Sequence, residues 1–174
     1  MYRCVVITGD LAALKTTITR RLQSDLRLPT LIKDDIKEAL YDAFDVITDD
    51  LQAVLSSFTF DYMMALAKST LTSSSILFES NLKPDELSRL ESAFGDQLLV
   101  IFCGGDVAVR YQRYLDRESS RHPAHKRYKT LSEESFQRAL RTPSPAMVYV
   151  DTTVFNEEHY QNVLGYVQSN LRTT

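Results

Sequence analysis

Residues 9–16 read Gly9-Asp10-Leu11-Ala12-Ala13-Leu14-Lys15-Thr16, and this stretch, with what surrounds it, decides the fold. It matches the phosphate-binding pattern G-x-x-x-x-G-K-[ST] at the first glycine, the lysine and the hydroxyl position; Leu14 stands where the pattern has its second glycine. Upstream, Arg3 to Thr8 is a short run rich in β-branched residues, which predicts a strand. Downstream, Ile18, Leu22 and Leu26 recur at helical spacing. A loop between a strand and a helix N-terminus surrounds an anion with main-chain N–H groups, so Gly9 through Thr17 are the expected phosphate contacts. Lys15 would reach the β and γ oxygens and Thr16 would ligate magnesium. The alternative is an ordinary turn in which Lys15 and Thr16 are merely polar; against it, a lysine at a helix N-terminus opposes the helix dipole unless an anion is present. Leucine at position 14 costs about 1–2 kcal/mol if the loop needs a left-handed residue there.

Working outward, the hydrophobic period switches regularly between strand-like and helix-like segments. Strands are expected at about 29–33, 75–79, 98–103 and 147–150. Between them, helical faces run through Ile36, Ala39, Leu40, Ala43 and Phe44; through Leu51, Val54, Leu55, Phe58, Tyr62, Ala65 and Leu66; and through Leu87, Leu90 and Phe94. Thr48 with Asp49 and Asp50, Pro84 and Asp106 mark helix starts, and Gly95 a stop. Phe136, Ala139 and Leu140 suggest a short helix before Pro143 and Pro145, and Tyr160, Val163, Leu164, Val167 and Leu171 a closing one. Strands apolar on both faces, joined by helices, require parallel pairing and right-handed crossovers. The fold class is α/β: a three-layer α/β/α sandwich around a five-stranded parallel sheet, in which ligands bind beyond the carboxyl ends of the strands.

The 174 residues make one domain, 1–174, with a polar lid at about 117–129. Hydrophobic residues are 44% and charged residues 25%, which excludes a disordered chain. With 23 acidic against 20 basic residues the net charge is -3, so no global positive field draws the protein to nucleic acid or anionic lipid. No apolar run approaches the roughly 20 residues of a membrane span, and a cytoplasmic location is the expectation. Cys4 and Cys103 lie in separate apolar segments and build neither a disulfide framework nor a metal cluster. His122 and His125, without a third clear ligand, fall short of a zinc site.

Four stretches together carry a resemblance: the glycine-to-threonine loop, Lys33-Asp34-Asp35-Ile36-Lys37, Ile76-Leu77-Phe78-Glu79-Ser80-Asn81-Leu82, and Arg113 to His125 with Arg121-His122-Pro123-Ala124-His125. On them the chain resembles, nearly end to end, the P-loop kinases of the zeta-toxin and chloramphenicol-phosphotransferase-like group. The resemblance implies the P-loop NTPase fold, binding of ATP and Mg2+, and transfer of the γ-phosphoryl group to a hydroxyl of a small molecule. By the same resemblance Asp34 is the acceptor-activating carboxylate, and Lys37, one turn on, would hold the acceptor.

Glu79 ends its strand beside the phosphate loop and would orient magnesium-bound water or bind substrate, with Asn81 assisting. Arg110, Arg113, Arg117 and Arg121 repeat at three- or four-residue spacing and form a cationic stripe. Arg117 and Arg121 on a mobile cover, with Lys15, are expected to neutralise developing charge. Bland readings stand beside these: Asp34 as a helix N-cap, Glu79 as a paired strand-end carboxylate, the arginines as a solvated face. Two alternatives to a small-molecule kinase are a nucleotide-binding regulator with a degenerate loop, motivated by Leu14, and a nucleic-acid end kinase, which the net charge disfavours.

Overall fold

The computed structural model describes residues 1–44, 49–125, 131–138 and 147–172. Five parallel strands, β1 (Cys4–Gly9), β2 (Thr30–Ile32), β3 (Ile76–Glu79), β4 (Leu98–Gly104) and β5 (Val148–Asp151), lie in the order β2-β3-β1-β4-β5. The helices are α1 (Lys15–Leu26), α2 (Lys33–Asp42), α3 (Asp49–Thr70), α4 (Pro84–Phe94), α5 (Val107–Asp116), α6 (Glu133–Arg138) and α7 (Glu157–Arg172). The strands and helices read from the hydrophobic pattern are present with ends moved by a residue or two. Pro84 and Gly95 bound α4 as expected, and the Asp106 carboxylate accepts from the Val109 amide to cap α5. The calls on Thr48, Ala139, Leu140, Pro143, Pro145 and the last lid residues, 126–129, lie outside the described residues.

The sheet is buried on both sides because β1 alternates between two cores. Cys4 and Val6 face Phe60, Met63, Ala67 and Leu90 of α3 and α4. Val5 and Ile7 face Ile18 and Leu22 of α1 and Tyr160, Val163 and Val167 of α7. Every β1 residue is buried, which is why the run carries no polar alternation. Burial pushes the Cys4 and Cys103 thiols up to about 12, as suits inert core cysteines.

Three readings are corrected here. The buried residues of α3 are Leu55, Thr59, Phe60, Met63, Met64 and Ala67, the last four of them in the core under the sheet, whereas Val54, Phe58 and Tyr62 are exposed. The helix carries apolar residues at two interleaved registers, and the wall of Phe78, Leu82 and Leu90 selects the one it buries. Asp34 is not an N-cap: α2 starts at Lys33 with Ile32 in the capping position, leaving Asp34 in the first turn. The four arginines do not form one cationic stripe, because Arg110 is buried, α5 ends at Asp116 and the chain turns through a 3-10 segment at Glu118–Ser120.

Candidate functional site

The loop after β1 is shaped from behind. Gly9 has φ 132°, and a Cβ there would lie 2.0 Å from the Cys103 carbonyl oxygen, so only glycine lets β1 press against β4 at this point. The Asp10 amide then donates to the same carbonyl at 2.9 Å. The Asp10 carboxylate lies 3.5 Å from the Arg110 guanidinium, which is 1% exposed and also donates to the carbonyls of Leu11 (3.2 Å) and Gly105 (3.0 Å). Arg110 is thus the strut under the loop rather than part of a cationic surface. Gly9 and Asp10 set the loop's course without lining the cleft in front of it.

Two residues of the loop take left-handed backbone: Ala12 at φ 56° and Leu14 at φ 54°, ψ 18°. The leucine therefore adopts the conformation for which the pattern reserves glycine, and α1 starts at the next residue. Left-handed turns of this kind direct successive amides toward one point and make an anion-binding concavity.

In front of the loop lies a cleft of about 660 Å³. Its floor and one wall are Leu11, Ala12, Ala13, Leu14, Lys15, Thr16 and Thr17. Around it stand Lys33, Asp34 and Lys37 of α2, Ser56 of α3, Glu79 at the end of β3, Asn81, Lys83 and Glu86 from the following segment and α4, and Arg113, Arg117, Arg121 and His125. All four sequence stretches singled out above reach it. Topology does this: β1, β2 and β3 are neighbours in the sheet, so their carboxyl-end residues meet at one edge.

The polar contacts are specific. The Thr16 hydroxyl donates to Glu79 Oε2 at 3.1 Å, and the Lys15 ammonium donates to the Asp10 carbonyl at 2.6 Å. Burial pushes the Glu79 carboxyl up to about 7, opposed by the nearby Lys15 charge; burial likewise lowers the Lys15 pKa, opposed by Glu79. Arg113 donates to the carbonyls of Thr152 (2.8 Å) and Thr153 (3.1 Å), tying the far side of the cleft to the end of β5. Arg117 follows α5, and desolvation first, then the Arg121 guanidinium, lowers its pKa. Arg121 lies 3.7 Å from Glu118.

The described part of the segment expected to be a lid is joined to α2. Lys37 Nζ donates to the Ala124 carbonyl at 3.0 Å, His122 Nε2 lies 3.1 Å from Asp42, and His125 lies 3.0 Å from Glu38 and 3.9 Å from Asp34. Burial, ahead of the neighbouring charges, lowers the His125 pKa. Asp34 itself stays largely open, its side chain 63% exposed. Among the described residues no group of three or more His, Cys, Asp and Glu is placed to hold a metal ion.

Sequence reasoning missed the buried ion pair of Lys33 with Glu86, 2.9 Å apart with side chains 11% and 8% exposed. Lys33 sits beside Asp34 in a stretch already noticed, but nothing in the sequence joins it to a glutamate on α4. Glu86 also accepts from the Lys83 amide at 2.8 Å, so one carboxylate both caps α4 and ties it to α2.

No protein-family model matches the sequence, and no curated protein matches it. Solved structures do. A candidate kinase from Chloroflexus aurantiacus J-10-fl superposes with a TM-score of 0.84 at 24% identity, covering 98% of this chain and 99% of that one. Shikimate kinase from Bacteroides thetaiotaomicron gives 0.66 at 12% identity, covering 96% and 97%. Kti12 from Chaetomium thermophilum, in complex with ADP-AlF3, gives 0.66 at 16% identity, covering 97% and 98%. The fold is that of the P-loop kinases. The five parallel strands with helices on both faces, the end-to-end coverage and the loop after β1 agree on this. No helix among the described residues is long and apolar enough to cross a membrane.

Proposed function

We propose that this protein is an ATP-dependent kinase that transfers the γ-phosphoryl group to a hydroxyl of a small molecule, within the zeta-toxin and chloramphenicol-phosphotransferase-like group of P-loop kinases. The observation that carries the reading is one cleft holding both halves of such a reaction: the Leu11–Thr17 loop with Lys15 on one side, and Asp34 on α2 with Arg117 and Arg121 over it on the other. Support for a nucleotide comes from Kti12, solved with ADP-AlF3; support for a hydroxyl acceptor comes from shikimate kinase.

In this reading the loop amides and Lys15 hold the β and γ phosphates. Asp34, exposed on the first turn of α2, accepts the proton of the attacking hydroxyl. Arg117 and Arg121 face the charge that spreads over the transferring group. The oxygen donors fit a magnesium ion that keeps several waters: Thr16 would ligate it directly and Glu79 would hold a bound water, their side chains lying 3.1 Å apart. Magnesium would supply charge neutralisation across the β and γ phosphates. We place this activity in the cytoplasm, where ATP is supplied.

Leu14 favours a second reading, a regulator that binds nucleotide without transfer, because its left-handed backbone stores strain in the loop. Purified protein incubated with labelled ATP and a panel of hydroxyl metabolites separates the two. The kinase reading expects label on an acceptor, lost in Lys15→Ala, and in Asp34→Asn lost while ATP still binds. ATP bound tightly with no acceptor labelled across the panel would favour the regulator, and full turnover by Asp34→Asn would remove that residue from the mechanism.

A further inference from the structure

The cleft is far more cationic than the chain. Seven of its lining side chains are lysine or arginine and three are carboxylates, in a protein whose net charge is -3. Glu86 and Lys33, 2.9 Å apart, cancel each other, Glu79 accepts from the Thr16 hydroxyl at 3.1 Å, and Arg121 lies 3.7 Å from Glu118. Only Asp34 remains open to the acceptor end. A triphosphate largely neutralised by its own magnesium leaves part of this positive excess unmatched.

The excess is local. On the acceptor side Lys37 follows Asp34 by one helical turn, half-buried, with its ammonium held by the Ala124 carbonyl, a dipole rather than a charge. Burial, Lys33 and Arg121 all disfavour the Lys37 charge, and Asp34 is the carboxylate that offsets them. Lys83, which is exposed, also lines the cleft. Lys33 has Glu86 and Arg121 has Glu118 as carboxylate partners, whereas the half-buried Lys37 ammonium rests on a carbonyl; an incoming anion stabilises it, and a neutral polyol leaves it as it is.

Resting on the kinase reading, we propose that the phosphoryl acceptor is itself an anion, a hydroxyl compound that also bears a carboxylate or phosphate group, and that Lys37 binds that group beside Asp34. Lys37 thereby sets specificity by charge: an oxyanion near its ammonium places a hydroxyl of the same small molecule over Asp34, one turn away on α2. The Ala124 carbonyl then holds the ammonium of this cleft-lining residue in place.

The test uses the full chain saturated with magnesium and the imido analogue of ATP, which occupies the triphosphate site without transfer. Glycerate, glycerol 3-phosphate and glycerol are titrated at constant ionic strength by calorimetry. At least one anion is expected to bind about tenfold more tightly than glycerol, with the better of the two telling carboxylate from phosphate. Lys37→Gln should erase that preference, Lys37→Arg should keep it, and the exposed Lys68→Gln should leave it intact as a control for general charge. The inference is overturned if neither anion outdoes glycerol, or if the preference survives Lys37→Gln. Failure of the ATP analogue to bind at all would instead sink the kinase reading on which the inference stands.

Discussion

Replacing Glu79 by glutamine should stabilise the protein at alkaline pH and do little at acid pH. Glu79 is 5% exposed at the end of β3, and burial holds its carboxyl at about 7 against an ordinary value of 4.5, even with the Lys15 ammonium nearby. The folded chain therefore keeps a proton that the unfolded chain has already lost between these two values. The stabilisation from that proton is complete below about pH 4.5 and gone above about pH 7. A difference of this size corresponds to about 3 kcal/mol. Glutamine resembles the protonated acid at every pH and still offers an oxygen to Thr16. The variant should thus match wild type near pH 4 and exceed it by about 3 kcal/mol at pH 8, or about 6–12 °C in Tm for a domain of this size. Thermal melts of both proteins across this range measure the gap; titrating groups other than Lys15, whose charge is coupled to that of Glu79, cancel in the difference. A gap that stays constant with pH, or a wild type more stable at pH 8, would refute the claim that Glu79 is charged at a cost. Magnesium with nucleotide should narrow the gap, since a cation favours the carboxylate.

Other expectations follow from the same geometry. Leu14→Gly relieves about 1–2 kcal/mol of left-handed strain and loses about 0.4–1 kcal/mol to chain entropy, so a urea melt should show a gain of at most about 1.6 kcal/mol. Nucleotide affinity should then change less than about threefold; a much larger tightening would mean that the leucine side chain obstructs the site. Lys33→Ala or Glu86→Ala alone should cost about 3–5 kcal/mol by leaving a buried charge unpaired, whereas Lys33→Met with Glu86→Leu should come out near wild type, all by denaturant unfolding. If the protein transfers phosphate as proposed, Arg117→Ala should lower turnover by about a hundredfold, with a smaller effect on nucleotide binding, measured as kcat and Kd separately.

Much of the site was legible because its parts are local in sequence. Glycine, lysine and threonine at fixed offsets mark a strand-to-helix loop whatever surrounds it, and Asp34 and Glu79 announce themselves as the polar residues that follow apolar strands. Even the strain at Leu14 was readable, since the pattern's glycine implies a left-handed backbone and the structure places leucine there at φ 54°. Long-range pairs were not readable. Nothing nearby in sequence joins Asp10 to Arg110 or Lys33 to Glu86; the first pair forms because the loop after β1 meets α5, and the second because α2 meets α4.

From residue order alone came the alternation of strands and helices, the parallel sheet and the phosphate-type loop, because hydrophobic period and turn chemistry act over a few residues. Which stripe of α3 turns inward, which arginine is a buried strut and which faces the cleft, and how the described part of the expected lid joins α2 were decided only by packing. Those choices compare alternatives that are nearly equal locally, and the surface each segment meets, often far along the chain, breaks the tie.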